Sequence, residues 1–333
     1  MLFWHGSSPA CAERDELAWR KTRDPWSILV SETMLTQTST ARVAGVYPGF
    51  LARFATPASC SLAGAGEVIR AWSGLGYNRR ALSLHRTAEI LHRCYDGVVP
   101  AERKLLLRLP GVGEYIARAV QSFAFGLTEA PIDTNIARVL ARAVAGEPLR
   151  APRARRLADA LLVEGDSRSW NLALMDLGAI HCRARRPSCR ACPLGGAPPR
   201  AGTAVLCRFF AAGGDGPDPA VASAHVTAAQ ARFEGSDRQG RGRLVRCARE
   251  GPIPLERLAV LAGWPQDEAR AGRVARQLVA EGMLVEADGA LALPAPVPAP
   301  VPDPVPANRG GGLGGDRGDA LLRAGESPRS GRG

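Results

Sequence analysis

Apolar residues recur at spacings of three and four along DPWSILVSETMLTQT, GEVIRAWSGLGY and EYIARAVQSFAFG, and no alternating run of strand length interrupts the first two hundred residues. Residues three and four apart share one face of a helix, whereas a strand face repeats every two. A sheet-built core is therefore excluded, and the chain is expected to be mainly α. From Gly195 to about Arg232 the composition shifts to Gly, Pro and Ala, the signature of a long loop or linker. Beyond it GSDRQGRGRLVRCARE, PLERLAVLAG and QDEARAGRVARQLVAEG predict three helices, and MLVEADGALALP a hairpin turned at Asp288-Gly289. Three helices and a hairpin predict a winged-helix-like module, which either touches DNA or packs as an appendage. The tail PAPVPAPVPDPVPANRGGGLGGDRG holds too little apolar surface to fold. The layout read from these shifts is a helical core over 1–210, a linker over 211–232, the module over 233–293 and a disordered tail over 294–333.

At 333 residues, 46% of them hydrophobic, the chain has enough apolar material for two or three domains. Its formal charge of +11 comes from 43 basic residues against 32 acidic ones, with Arg dense between Arg138 and Arg200. A polyanion is the natural partner for such a balance, and an arginine-rich solvated surface is the alternative. No apolar run reaches the ~18 residues that a membrane span needs, and MLFWHGSSPACAERDE lacks a basic region followed by an apolar one. The expected location is the cytoplasm, with no membrane and no obligate protein partner.

The eight cysteines include a close group at Cys182, Cys189 and Cys192, which in a chain of this size suggests a metal or cluster rather than disulfides. Cys11, Cys60, Cys94 and Cys247 are scattered and read as small buried hydrophobes.

In LPGVGEYIARA two glycines precede an amphipathic helix. The backbone N–H groups of Gly111, Val112 and Gly113 and the positive end of the helix dipole can face a phosphate there. Gly and Pro also open helices for structural reasons alone. Upstream, KLLLRLPGVG supplies the other arm of what resembles a helix-hairpin-helix. Twenty residues past the turn, Asp133 in APIDTNIARVLAR precedes an apolar-periodic helix. It serves either as a cap for that helix or as a carboxylate with chemistry to do.

Taken in order, these segments resemble the HhH-GPD superfamily of DNA base-excision glycosylases over roughly residues 17 to 194. Within it they are similar to the MutY-type adenine glycosylases. WSILVSETMLTQT looks like that family's SEVMLQQT segment, and RAWSGLGYNRRALSLHRTA, NLALMDLGAIHC and the later CPL continue the likeness. Thr36 stands where the family usually has glutamine, and Asn78 where a second tyrosine is common. The resemblance implies a helix-hairpin-helix glycosylase fold with an iron-sulfur cluster lobe, acting on double-stranded DNA that contains a mismatch. It puts Glu32 on the family's acid, Asp133 on its catalytic aspartate and Asn135 beside the sugar, with Gln37 and Tyr77 as wedge residues. Endonuclease III, a bifunctional relative, carries a lysine at the position of Tyr115.

A lysine there forms a Schiff base that leads to strand cleavage. A phenol, with a reference pKa of ~10, cannot, but it can hydrogen-bond beside a developing cation. The chain is thus expected to remove a base and stop. Glu32, among apolar neighbours, is the expected proton donor to the leaving adenine, and Asp133 the carboxylate that steadies the sugar cation. Adenine mispaired with guanine or 8-oxoguanine is the expected target. A glycosylase for thymine or uracil opposite guanine is the alternative, since that branch also carries Tyr at the position of Tyr115. A non-enzymatic DNA-binding protein on the same fold is the other.

HCRARRPSCRAC resembles the 4Fe-4S loop of MutY and endonuclease III, with Arg183, Arg185, Arg186 and Arg190 available to the DNA backbone. The family expects a fourth cysteine where this chain has Pro198. Cys207, with fourteen residues between it and Cys192, is the next cysteine and the expected fourth ligand. Lengthening a surface loop this way adds only on the order of 1 kcal/mol of closure entropy. A zinc site using the three cysteines and His181 is the alternative.

Overall fold

Among the described residues, five helices begin at a side-chain cap that the sequence supplies. Asp24 accepts from the backbone of Ser27 ahead of Pro25, Thr56 and Ser59 form a reciprocal capping box ahead of Pro57, and Ser236 and Asp267 cap two later helices. Each side chain satisfies an N–H that the first helical turn leaves without a partner.

The computed structural model describes residues 9–197, 204–214, 216–226 and 232–295. Its helices are α1 Pro9–Asp15, α2 Pro25–Leu35, α3 Thr40–Arg53, α4 Pro57–Leu62, α5 Gly64–Ala71, α6 Arg79–Cys94, α7 Arg103–Leu106, α8 Glu114–Phe123 and α9 Thr134–Val139. There follow α10 Ala151–Ala160, α11 Ser167–Ile180, α12 Arg208–Ala211, α13 Asp237–Glu250, α14 Leu258–Ala262 and α15 Glu268–Ala280. Strand β1, Ile253–Pro254, precedes α14, and β2 Val285–Ala287 and β3 Ala290–Ala292 close the described chain.

Helix α2 runs through the middle of the core. Trp26 and every residue from Ile28 to Met34 are buried, so the helix has no solvent face, and Glu32 is carried inside with the rest. Helix α2 packs on α8 and α3, α6 on α4 and α5, and α9 on α11. Phe50, Trp72, Ile69 and Leu84 fill the centre between them, with Phe50 edge-on to Phe54 and Trp72. After Val139 the α9 backbone widens into a π-helix, Leu140–Ala145, which ends at Gly146 in left-handed conformation.

Residues 253–292 include a three-stranded antiparallel sheet of order β1-β3-β2. Asp288 and Gly289 turn the β2–β3 hairpin with φ of 51° and 70°, the conformation that Asp-Gly is suited to. Strand β1 was not legible in the sequence because two residues are too few to show alternation. This part of the chain grips α5 and α6. Arg249 donates to Ile69 O at 3.1 Å and Asn78 Oδ1 at 2.8 Å, and Arg86 donates to Glu281 O at 2.8 Å. A Cβ on Gly66 would lie 2.1 Å from Pro294 O, so only glycine admits the chain there.

Residues 1–297 form one compact unit. The second unit, 298–333, lies outside the described residues, as does the expected disordered tail apart from 294 and 295. Among the described residues no helix is long and apolar enough to cross a membrane. One expectation is corrected: Cys11 and Cys60 are buried, but Cys94 is exposed. As the last residue of α6 it lies at the end of the helix, outside the stripe of Leu84, Ala88 and Leu91 that faces the core.

Candidate functional site

Three segments distant in sequence converge on a cavity of about 530 Å³ lined by Glu32 from α2, Tyr115 from α8, and Asp133 and Asn135 at the start of α9. Tyr115 Oη donates to Glu32 Oε2 at 2.7 Å. Burial pushes the Glu32 carboxyl up to about 7, against the Tyr115 hydrogen bond and the more distant Arg20 and Arg168, while nearby Asp133 adds to the rise. Burial likewise carries the Tyr115 phenol well above its ordinary value, helped by both carboxylates, so it stays neutral.

Asp133 does two things at once. Its Oδ1 accepts from the backbone N–H of Ile136 at 2.7 Å, which caps α9, and its Oδ2 accepts from Asn135 Nδ2 at 2.6 Å. The cap reading and the chemical reading are therefore compatible. Burial raises its carboxyl above the usual aspartate value even though these donors favour the charged form.

From Asn135 a line of hydrogen bonds runs out of the cavity. Arg138 donates to Asn135 Oδ1 at 2.6 Å, to Gly178 O at 2.9 Å and to Cys182 O at 2.8 Å. A Cβ on Gly178 would fall 2.5 Å from that of Asn135, so glycine in α11 is what lets α9 approach.

Cys182, Cys189, Cys192 and Cys207 line a second pocket, together with Val139, Leu177 and Phe210. Arg142, fully buried, spans its rim: it donates to Cys182 Sγ at 3.4 Å and to Arg183 O at 2.7 Å, and pairs with Asp218 at 2.5 Å. Asp218 lies in the Gly/Pro-rich stretch, where Ala224 N–H and Leu149 O also bond at 2.7 Å. Gly195 and Gly196 turn the chain so tightly that a Cβ on either would strike the Cys189 or Arg190 carbonyl. Burial raises the Cys182 and Cys189 thiols and takes Cys192 to about 11. Among the described residues no three His, Cys, Asp or Glu side chains gather closely enough to hold a single ion. A cube of four irons takes one thiolate per iron and spreads its ligands further apart than one zinc ion does.

Gln37 and Tyr77 stand at the tips of two turns, Gln37 also lining the first cavity. Tyr77 is 39% exposed and does not belong to the core. In the Gly111–Gly113 turn between α7 and α8, Gly111 has φ of 79° and lies against Ser83, whereas Gly113 is extended with nothing within 4 Å of a Cβ. No described residue crowds a Cβ at Gly113, which leaves open space beside its backbone. Arg183, Arg185, Arg186 and Arg190 are all exposed.

Several residues at these sites escaped the sequence reading. Arg138 and Arg142 occupy apolar-periodic positions in NIARVLARAV, and a charge on the buried face of a helix was the available signal. Arg168, whose guanidinium donates to Arg20 O at 2.6 Å and to the Phe123 carbonyl, and His225 carried no signal at all.

Residues 30–161 match the HhH-GPD superfamily of base excision DNA repair proteins. An adenine DNA glycosylase of Mycobacterium tuberculosis is 39% identical over 305 residues, covering 88% of this chain and 92% of its own. A thymine/uracil-DNA glycosylase of Methanothermobacter thermautotrophicus is 33% identical, over 63% of this chain and 90% of its own. A solved thermostable thymine-DNA glycosylase superposes with a TM-score of 0.54 at 30% identity, over 63% of this chain and 93% of that one.

Proposed function

Since the chain belongs to the HhH-GPD superfamily, as an adenine DNA glycosylase of base excision repair, we propose that it is monofunctional and acts on adenine opposite guanine or 8-oxoguanine. The observation that carries the reading is the 2.7 Å hydrogen bond between Tyr115 and Glu32 beside Asp133 in one cavity. The match to the adenine enzyme takes in 88% of the chain, against 63% for the thymine/uracil enzyme.

In this mechanism adenine leaves the stack and enters the cavity. Glu32, whose carboxyl burial raises to about 7 so that it can hold a proton, gives that proton to a ring nitrogen, and the bond to C1′ breaks as the base takes the electron pair. Asp133, held by Ile136 N–H and Asn135, presents a carboxylate to the cation developing at C1′. Water then adds at C1′ and gives up a proton, which restores Glu32. Tyr115 occupies the position where a lysine would attack, so the abasic strand remains intact. Gln37 and Tyr77 fill the space left in the duplex, and the Gly111 and Gly113 N–H groups grip a phosphate, whereas the Val112 N–H, contrary to expectation, is taken by Leu109 O at 3.1 Å. The segment 233–293 is read as a winged-helix-like module.

Cys182, Cys189, Cys192 and Cys207 would hold a 4Fe-4S cluster. The apolar pocket that they share, the Arg142 N–H on Cys182 Sγ and the glycine turn beside Cys189 suit such a group. Bound there, it would tie the loop of Arg183, Arg185, Arg186 and Arg190 to the helical core.

The test uses duplexes with adenine or thymine opposite guanine or 8-oxoguanine, with and without alkali. Adenine release with strand breaks only after alkali is expected. Borohydride trapping of an efficient covalent adduct would overturn the monofunctional assignment, and thymine release with adenine untouched would overturn the choice of base.

A further inference from the structure

Gln37 and Tyr77 both hold left-handed backbone, with φ of 58° and 46°. A non-glycine residue adopts that conformation at a cost and keeps it where its surroundings impose it. One guanidinium touches both turns. Nη1 of Arg80 donates to Thr33 O at 2.9 Å, to Met34 O at 2.8 Å and to Thr36 O, the carbonyls at the end of α2 that lead into Gln37. Nη2 donates to Leu75 O at 3.3 Å and Gly76 O at 3.1 Å, just ahead of Tyr77. Nη2 also reaches Thr38 Oγ1 at 2.8 Å, and Thr38 Oγ1 in turn donates to Leu75 O at 3.1 Å. The rings of Trp72 and Tyr77 flank the guanidinium at 5.4 and 5.5 Å. Carbonyl dipoles and ring faces answer its charge, and burial lowers its pKa only to about 10, so it remains a cation.

We infer that Arg80 is a positioning residue that sets the separation of the two wedge turns, Nη1 held by the carbonyls ahead of Gln37 and Nη2 bridging from Thr38 to the carbonyls ahead of Tyr77. The inference rests on the reading of Gln37 and Tyr77 as wedges. Both side chains must enter the duplex together for a base to be displaced, and a bracket between their turns removes the freedom to arrive out of register. Lysine keeps the charge but lacks the second nitrogen and the planar fork, so it cannot hold the three carbonyls at the end of α2 and the Leu75 and Gly76 carbonyls at once.

The experiment compares single-turnover release of adenine opposite guanine in a continuous duplex with release of the same adenine opposite an abasic-site analogue, where little unstacking is needed. Arg80→Lys and Arg80→Met are expected to lose on the order of 100-fold on the duplex and less than about tenfold opposite the analogue. Equal losses on both substrates would make Arg80 a prop for the fold alone and overturn the inference. Should Arg80→Met fail to fold, Arg80→Lys carries the comparison. Gln37→Ala and Tyr77→Ala separate the two ideas. If they lose duplex activity and the Arg80 variants do not, the Arg80 inference falls by itself. If they turn over the duplex at the parent rate, the wedge reading falls and takes the inference with it.

Discussion

Glu32 carries opposite consequences for stability and for catalysis. Its folded value of about 7 lies above the ~4.3 of an unfolded glutamate. The stability linked to its protonated form is therefore complete below that unfolded value and is lost as pH rises through 7. Glu32→Gln, which cannot ionise, is expected to melt above the parent at about pH 8, by on the order of a few kcal/mol, and level with it near pH 4. Melting curves at the two pH values check this; equal melting at pH 8 would mean that the carboxyl is not held in its acid form. Base release by the parent should fall as pH rises above about 7, and Glu32→Gln should release none. Asp133→Asn separates the two duties of that residue. Asparagine caps a helix about as well as aspartate, so stability should stay within about 1 kcal/mol. Release should vanish while binding to the mismatched duplex persists; retained turnover would remove Asp133 from the chemistry.

At the scale of elements, the hairpin and the cysteine loop make separable claims. Gly113→Ala meets no described atom within 4 Å of its Cβ, so it should cost no more than about 1 kcal/mol, from the poorer helix cap, and weaken binding to DNA. Gly111→Ala forces a φ of 79° and a contact with Ser83, and should destabilise by roughly 1–2 kcal/mol. Unchanged DNA affinity in Gly113→Ala would show that no phosphate approaches there. In the cysteine loop, Cys207 is buried beside the pocket of the trio, while Cys247 lies on α13. Protein purified without oxygen should be brown and hold about four irons per chain. Cys207→Ser should bleach it and Cys247→Ser should not, and full iron in both would exclude Cys207 as a ligand.

Over the whole molecule, a charge of +11 makes binding to duplex DNA salt-dependent. The Arg183, Arg185, Arg186 and Arg190 cluster is exposed close to the four cysteines, so its contribution depends on that loop being held. Replacing Arg183 and Arg186 with glutamine should lower the slope of log affinity against log salt by about 1 each. The loss should be uniform across sequences, because phosphate contacts position the protein and do not read bases. An unchanged slope would move the DNA track away from this loop.

Sequence by itself determined where many of the helices lie. Periodicity and caps such as Asp24-Pro25 act within one or two turns, so they are visible in a short window. It also marked Glu32, Tyr115 and Asp133 as candidates, through the order of their segments. That Tyr115 bonds Glu32 across 83 residues, and Arg142 bonds Asp218 across 76, was decided by tertiary structure alone. The same holds for Arg80 reaching both exposed turns, and for Cys207 lining one pocket with Cys182, Cys189 and Cys192 despite its unusual spacing. A periodic pattern reports that a face is buried but not what lies against it. A long-range partner is selected only when the folded core brings two distant segments together and leaves a charge or a thiol with no water to answer it.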